Sequence, residues 1–196
     1  RSSPVTGVQT CALPISNMKL PIINNKMTRV FLSYRHEYPT AIALISGNED
    51  YPSIKGEVLF YQLDDGVYIR AYIIGLPETN SKGEPVKFHG FHIHENGNCN
   101  QNNSCESFPF AGKHFNPHNN KHPFHAGDLP PILSANGLGI LSVFTDAFSV
   151  IDIIERSVII HENSDDFISQ PSGNSGNKIA CGVILPYQRS EERRVG

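Results

Sequence analysis

Short runs of apolar residues recur through the middle of the chain, and most of them either alternate with polar positions or are rich in β-branched side chains. Alternation turns one face of a strand towards a core and the other towards solvent, whereas a β-branched run favours a fully buried strand. Turn residues such as Asp64-Asp65-Gly66 and Gly47-Asn48 separate the runs. The pattern predicts strands at residues 40–46, 54–62, 67–74, 86–94, 139–144, 157–161 and 178–185.

Seven or eight short strands of this kind predict an all-β fold, either a β-sandwich or a flattened eight-stranded barrel. Two long connections interrupt the pattern, at residues 96–131 and 163–177. Long irregular loops in a compact domain are usually functional or disordered, so both are candidate site elements. Residues 151–155 fit either a short helical turn or the end of a strand.

Composition and charge favour a single folded domain and argue against a nucleic-acid-binding or membrane-spanning protein. The middle of the chain, about 170 residues, is long enough for one domain with a substantial core. The formal net charge is −3, which argues against a nucleic-acid-binding protein because such a protein needs a basic face. No run of about twenty apolar residues occurs, so we expect no membrane-spanning helix.

The two ends of the chain differ in character from the middle. Residues 1–16 (RSSPVTGVQTCALPIS) and residues 188–196 resemble peptides that arise when sequencing-adapter DNA is translated, and we expect neither to be native. The alternative is a genuine N-terminus and a charged C-terminal tail. On the first interpretation, residues 17–39 form an N-terminal lead-in and residues 40–187 form the folded domain.

The candidate chemistry lies in histidines at metal-ligand spacings. His92 and His94 alternate with Phe91 and Ile93, so on a strand both imidazoles leave the same face and can bind one ion. His161 ends a β-branched run that predicts a buried strand, from which it can meet the pair across a sheet.

A second set of candidate ligands lies in a loop rich in Asn, Pro and Gly. Such a loop can fold three histidines and a carboxylate around a tetrahedral ion, and this donor set suits zinc. A purely structural zinc site is closed by four ligands and would not need three further histidines elsewhere. We expect His36 and His118 to be solvated and His89 to flank its strand without binding metal. The loop ligands are His114, His122, His125 and Asp128.

These residues stand in a series of longer motifs that resembles the copper/zinc superoxide dismutases, over about residues 40–184. The motifs follow one another in the order and near the spacing of that family. They are GFHIHENG at 90–97, HFNP at 114–117, HAGDL at 125–129, HENSDD at 161–166, GNSG at 173–176 and ACGVI at 180–184.

The resemblance implies a Greek-key β-barrel with two metals and a set of assigned residues. Asp165 would be a carboxylate that hydrogen-bonds one copper histidine and one zinc histidine. Cys99 and Cys181 would form the disulfide that ties the zinc loop to the last strand; Cys105 would then be a free thiol or an alternative partner. The copper ligands would be His92, His94, His114 and His161, and the zinc ligands His114, His122, His125 and Asp128.

The resemblance also implies the reaction, in which copper takes an electron from one superoxide and returns one to a second, giving dioxygen and hydrogen peroxide. His114 would serve both as the ligand shared with zinc and as the proton carrier. Lys178 stands where the family usually carries an arginine that docks the superoxide anion, and lysine keeps the charge without the planar fork of donors. The alternative function is a copper-binding or copper-buffering protein without efficient turnover.

Localisation and assembly follow less directly from the sequence. A disulfide favours a periplasmic, cell-surface or secreted setting, which would require that a signal peptide has been lost from the N-terminus. A native start at Met18 or Met27 would instead give a cytoplasmic protein. Cys99 lies five residues after His94, where many bacterial members of the family place the cysteine of their disulfide, so the resemblance is to a bacterial-type member. Family members are commonly homodimers but pair through different faces, so the resemblance does not choose a face.

Overall fold

The computed structural model describes residues 38–101 and 106–188, and these residues contain eight strands. A 3-10 turn at Pro109–Ala111 and a single helical turn, α1, at Val150–Ile153 lie in the connections. The predictions for residues 1–16, His36 and Cys105, and for nearly all of 17–39 and 188–196, lie outside the described residues. The strands are β1 (Ala41–Gly47), β2 (Lys55–Leu63), β3 (Gly66–Ile74), β4 (Phe88–His94), β5 (Asp128–Ala135), β6 (Leu138–Thr145), β7 (Ser157–His161) and β8 (Lys178–Pro186).

The eight strands close into an antiparallel barrel in the order β1-β2-β3-β6-β5-β4-β7-β8. The connections β3 to β4 and β6 to β7 each join strands that are not neighbours in the barrel, which is the Greek-key pattern. The predicted all-β fold and its barrel form are therefore confirmed, and closure leaves no open edge in the sheet that the eight described strands form. Asp64 and Asp65 form the tight turn between β2 and β3, as the turn pattern predicted.

Strand β5 was missed by the sequence pattern, which placed residues 128–131 in the long loop. The two consecutive prolines, Pro130 and Pro131, cannot donate a backbone hydrogen bond and therefore argue against a central strand. In the barrel, β5 pairs with β4 from Asp128 to Leu133, while its register with β6 covers Ser134 and Ala135. The prolines thus lie at the register shift between β4 and β5, where neither is paired, and Asp128 begins a strand.

Strand β4 separates the barrel core from the layer beneath the two long loops. Its apolar residues Phe91 and Ile93 are 0% exposed and belong to the core cluster inside the barrel. His92 and His94 alternate with them and are also buried, so they are covered by the loops on the outer face. Burial of each large apolar side chain contributes about 1.5–3 kcal/mol, which fixes the register of β4 and hence the direction of its histidines.

The ambiguous segment at residues 151–155 begins as the helical turn α1. Ser149 is its N-cap residue in a capping box, in which the Ser149 backbone N–H donates to Asp152 Oδ2 at 2.9 Å. Arg156 follows the turn, donates to the Glu95 carbonyl at 2.7 Å and stacks 3.9 Å above the Phe115 ring. This side chain thereby ties α1 to the start of the first long loop. Among the residues that the structure describes, no helix is both long and apolar enough to cross a membrane.

Candidate metal centre

The first cluster consists of four buried histidines from three parts of the chain. The antiparallel pairing of β4 with β7 brings His161 beside the β4 pair, with 3.3 Å between the Nε2 atoms of His94 and His161. A bridge between His94 and His114 brings the first long loop back to the same place. One nitrogen from each ring lies within 4.8 Å of the others, in the group His92, His94, His114 and His161.

The second cluster gathers around Asp128 at the start of β5, directly opposite His92 on β4. Asp128 Oδ2 lies 3.0 Å from His122 Nδ1 and 3.2 Å from His125 Nδ1. Asp128 Oδ1 lies 2.7 Å from His114 Nδ1. These four residues again place one donor atom each within 4.8 Å of one another. All seven ligands that the sequence predicted are therefore brought together in two clusters.

His114 belongs to both clusters, and its two ring nitrogens face in different directions. Its Nδ1 approaches Asp128, whereas its Nε2 is buried and has no hydrogen-bond partner among the described residues. The same is true of His92 Nδ1, His122 Nδ1 and His125 Nδ1. Buried polar atoms normally have partners, so four unpartnered nitrogens aimed into two clusters are the places where metal ions fit.

In His94 and His161, the ring nitrogen that faces away from the first cluster is held by a backbone carbonyl. His94 Nδ1 lies 2.9 Å from the Gly112 carbonyl, and His161 Nδ1 lies 3.2 Å from the Gly176 carbonyl. A carbonyl only accepts, so each Nδ1 carries the proton and leaves the Nε2 lone pair for an ion. The two long loops thus supply the groups that orient the ligands, which sequence spacing did not reveal.

Asp165 links the two clusters from the second long loop. Its Oδ2 lies 2.8 Å from His92 Nε2, and its Oδ1 lies 2.9 Å from His122 Nε2. Burial would raise the pKa of Asp165, but hydrogen bonds from His92, from the Phe167 N–H and from His122 together hold that pKa well below its usual range. Gly173, at φ +64°, makes this approach possible because a Cβ there would lie 2.0 Å from Asp165 Oδ1.

Burial also controls the protonation of the ligand histidines. It lowers the pKa of His92 to about 4, and it lowers the pKa values of His94 and His161 well below their ordinary value. Repulsion between neighbouring imidazoles acts in the same direction. Neutral imidazole is the form that binds a metal ion, so the fold keeps these ligands ready at neutral pH.

The metal-free protein is expected to lose stability as the pH falls from about 6.5 towards 4. Because the folded-state pKa values of the buried histidines are lowered, the unfolded chain takes up protons in this window that the folded chain does not. The stabilisation is complete above the unfolded-state pKa, and its loss from His92 alone amounts to about 3 kcal/mol. Urea unfolding of chelator-treated protein between pH 7.5 and 4.5 measures the effect; an unchanged free energy of unfolding across that range would contradict it.

Two residues have structural roles that the sequence interpretation did not give them. Gln170 holds the backbone of His122, accepting from its N–H at 3.0 Å and donating to its carbonyl at 2.7 Å. His89 was expected to flank its strand but lies inside β4 and is fully buried. Its ring hydrogen-bonds to the carbonyls of His161 and Pro77 and lies outside both clusters.

His118 is exposed, as expected.

Lys178 begins β8 opposite His161 and lines an open cavity of about 640 Å³ together with His114. Its ammonium donates to Glu106 Oε1 at 2.9 Å and to the Phe108 carbonyl at 3.3 Å. The side chain of Lys178 is 12% exposed, so the cation is held in the cavity wall. Lys113 is a second cation that lines this cavity.

The predicted disulfide between Cys99 and Cys181 is present, with 5.7 Å between the Cα atoms. Phe108 and Ala111 pack against Cys181 in a small buried cluster that Cys99 joins. The first long loop is thereby fastened covalently and by packing to β8. This attachment lies three residues from Lys178 in the same strand.

A closed Greek-key barrel that gathers seven ligands in two loop-covered clusters, with one imidazole common to both, defines a dinuclear metalloprotein. Comparison with known proteins gives the family: residues 54–184 match the model for copper/zinc superoxide dismutase. The chain belongs to the copper/zinc superoxide dismutase family. This confirms the expected fold, the copper and zinc cofactors and the superoxide dismutase assignment.

Individual relatives cover most of the folded domain. The chain is 36% identical over 161 residues to the copper/zinc superoxide dismutase A of Xenopus laevis, covering 74% of this chain and 95% of that protein. It is 38% identical over 165 residues to the extracellular superoxide dismutase of Drosophila melanogaster, covering 74% and 83%. It is 35% identical over 149 residues to superoxide dismutase 4 of Dictyostelium discoideum, covering 67% and 90%.

Proposed function

We propose that this protein disproportionates superoxide to dioxygen and hydrogen peroxide, with copper in the first cluster and zinc in the second. The observation that carries the proposal is His114, whose two nitrogens face different ligand groups. A site that only stabilised the fold would need one closed set of four ligands. The donor sets also differ, since four imidazoles suit copper, whereas three imidazoles and a carboxylate suit zinc.

The residue assignments follow from this division. His92 Nδ1 and the Nε2 atoms of His94, His114 and His161 would hold copper, and the Nδ1 atoms of His114, His122 and His125 would hold zinc with Asp128. When bound, copper supplies one-electron chemistry, accepting an electron from one superoxide and returning one to a second. Asp165 restrains both sites at once, because one carboxylate orients a histidine from each.

His114 is the proposed proton carrier. Conversion of superoxide to hydrogen peroxide requires protons, and His114 Nε2 faces the first cluster without a protein partner among the described residues. Its Nδ1 faces the Asp128 cluster, which would keep the ring oriented while Nε2, when it no longer holds copper, takes up a proton and later releases it. The ring also lines the open cavity, from which protons can be replaced.

Lys178 is proposed to attract superoxide. It is a cation in the wall of the cavity that leads to His114 and His161. A cleft lined with low-dielectric walls focuses the field of such a charge and raises the encounter rate with an anion. The overall charge of −3 makes this local cation more important.

The proposed activity is tested by pulse radiolysis of the full chain loaded with copper and zinc, beside protein loaded with zinc alone. Fast, copper-dependent decay of superoxide is the expected result. Decay at the rate of buffer, despite full copper occupancy, would reject the catalytic function and leave the alternative of a copper-binding protein.

Replacing Lys178 with arginine is expected to raise the second-order rate constant by a factor of about two to ten, because an additional oriented hydrogen bond to the anion is worth about 0.5–1.5 kcal/mol. Lys178→Gln is the matched control and is expected to lower the rate constant about tenfold or more, since it removes the steering charge. Pulse radiolysis at fixed ionic strength measures both variants. Equal rates for lysine, arginine and glutamine would remove Lys178 from the mechanism.

Assembly and localisation remain predictions within this proposal. Tyr72 on β3 and Ile140 on β6 pair in register, and both are more than half exposed. An exposed apolar pair of this kind supports a homodimer, which sedimentation equilibrium tests directly. The disulfide supports an extracytoplasmic setting, and fractionation of the source cells distinguishes it from a cytoplasmic one.

A further inference from the structure

We propose that Glu106 sets the strength with which Lys178 attracts anions, acting as a built-in attenuator of the active-site cation. The inference rests on the proposed role of Lys178. It is carried by an ion pair between two residues that line the cavity, with Glu106 Oε1 2.9 Å from the Lys178 ammonium.

The two partners differ in their exposure to the incoming anion. The side chain of Lys178 is 12% exposed, whereas that of Glu106 is 66% exposed. An anion that approaches Lys178 therefore meets the field of an exposed carboxylate as well as that of the partly covered ammonium. The sum of the two charges is near zero, so Glu106 offsets the attraction that Lys178 would otherwise exert.

The two residues that follow Glu106 in the chain are held by contacts with the barrel. Ser107 accepts a hydrogen bond from Asn48 Nδ2 at 2.9 Å, and the buried Asn48 is itself fixed by its backbone N–H to the Ile179 carbonyl. Phe108 is 3% exposed and packs in the disulfide cluster. Residues 107 and 108 thus anchor the backbone beside Glu106 to Asn48, which follows β1, and to Cys181 of β8.

Lys178 keeps a second partner when Glu106 is changed. Its ammonium also donates to the Phe108 carbonyl at 3.3 Å, and that carbonyl is positioned by the buried Phe108 ring. Removal of the Glu106 charge therefore leaves the cation in the cavity wall with one acceptor. The remaining charged residues in the cavity wall are Glu95, Lys113 and Lys121, so the lining then becomes more positive by one unit.

The test compares Glu106→Gln with Glu78→Gln in copper- and zinc-loaded protein. Glu78 is a matched control because it pairs with Lys87 at 4.0 Å on an exposed surface away from the cavity, so both variants lose one carboxylate from a lysine ion pair. For Glu106→Gln we expect the rate constant for superoxide to rise about two- to threefold at low ionic strength and to fall more steeply as salt is added. Glu106→Lys is expected to increase both effects, and Glu78→Gln to leave them unchanged.

A second measurement separates this inference from the proposed activity. Azide is a small anion whose binding to copper(II) is followed by absorption, without turnover. Glu106→Gln is expected to lower the azide dissociation constant about two- to threefold, even in protein that fails to disproportionate superoxide. Rate and azide affinity equal to those of wild type, or shifted equally in Glu78→Gln, would overturn the inference. A reduced rate with weakened azide binding would also overturn it, because Glu106 would then support the cation rather than offset it.

Discussion

Replacement of His161 with alanine is expected to lower the rate of copper-dependent superoxide disproportionation by roughly 10²-fold or more. Loss of a group that only hydrogen-bonds to a metal ligand already lowers metal affinity or activity by roughly 10–100-fold, and His161 is a proposed ligand itself. His161 is fully inside the first cluster, with its Nε2 3.3 Å from that of His94 and its Nδ1 held by the Gly176 carbonyl. Alanine removes a donor that no neighbouring side chain can replace. Pulse radiolysis gives the rate, and the copper(II) EPR spectrum shows the change in ligand set.

The matched control is His118→Ala, which removes an exposed histidine outside both clusters. It is expected to leave activity and the EPR spectrum unchanged. Because the zinc ligands are untouched in His161→Ala, zinc binding should persist, and thermal unfolding with zinc alone verifies that the variant is folded. Full activity in a folded, copper-loaded His161→Ala variant would show that the first cluster is not the catalytic copper site.

The gathering of the candidate ligands on β4 could be predicted from the sequence because their positions follow from strand periodicity. Phe91 and Ile93 must enter the core, so His92 and His94 must leave the opposite face together. His161 could be placed by a different argument, because it ends a continuous buried run that pairs with β4. The loop ligands could be predicted as a set from their residue types, although the start of β5 at Asp128 could not, because the prolines that follow it are typical of loops.

Of the groups that orient these histidines, Asp165 was expected from the resemblance and is found in that place, but the others could not be predicted from strand periodicity. Gln170 and His122 are 48 residues apart, and Lys178 and Glu106 are 72 residues apart. The first contact depends on how the two long loops lie against each other, and the second on how the first loop lies against the start of β8. Neither loop has a periodic pattern. The carbonyls of Gly112 and Gly176 are backbone groups, which every residue carries, so no side-chain pattern marks them.

Removal of the disulfide by the double variant Cys99→Ala/Cys181→Ala is expected to lower the free energy of unfolding by about 4–5 kcal/mol. The two cysteines are 82 residues apart, and cross-linking them restricts the unfolded chain strongly in the loop-entropy description. A loss of that size is a large share of the roughly 5–15 kcal/mol that stabilises a typical domain. Urea unfolding of oxidised protein measures it, and the midpoint of thermal unfolding should fall by roughly 8–20 °C.

Single cysteine variants decide whether Cys105 can substitute in this bond. Cys105→Ala is the control and should leave stability unchanged, because Cys99 and Cys181 remain paired. Cys99→Ala should be as unstable as the double variant, since the loop then has no covalent attachment to β8 beside Lys178. If peptide mapping under non-reducing conditions instead finds Cys105 joined to Cys181 in Cys99→Ala, with most of the stability retained, the loop has two alternative attachments. The stability of the domain would then depend on closure of this loop rather than on the particular pairing with Cys99.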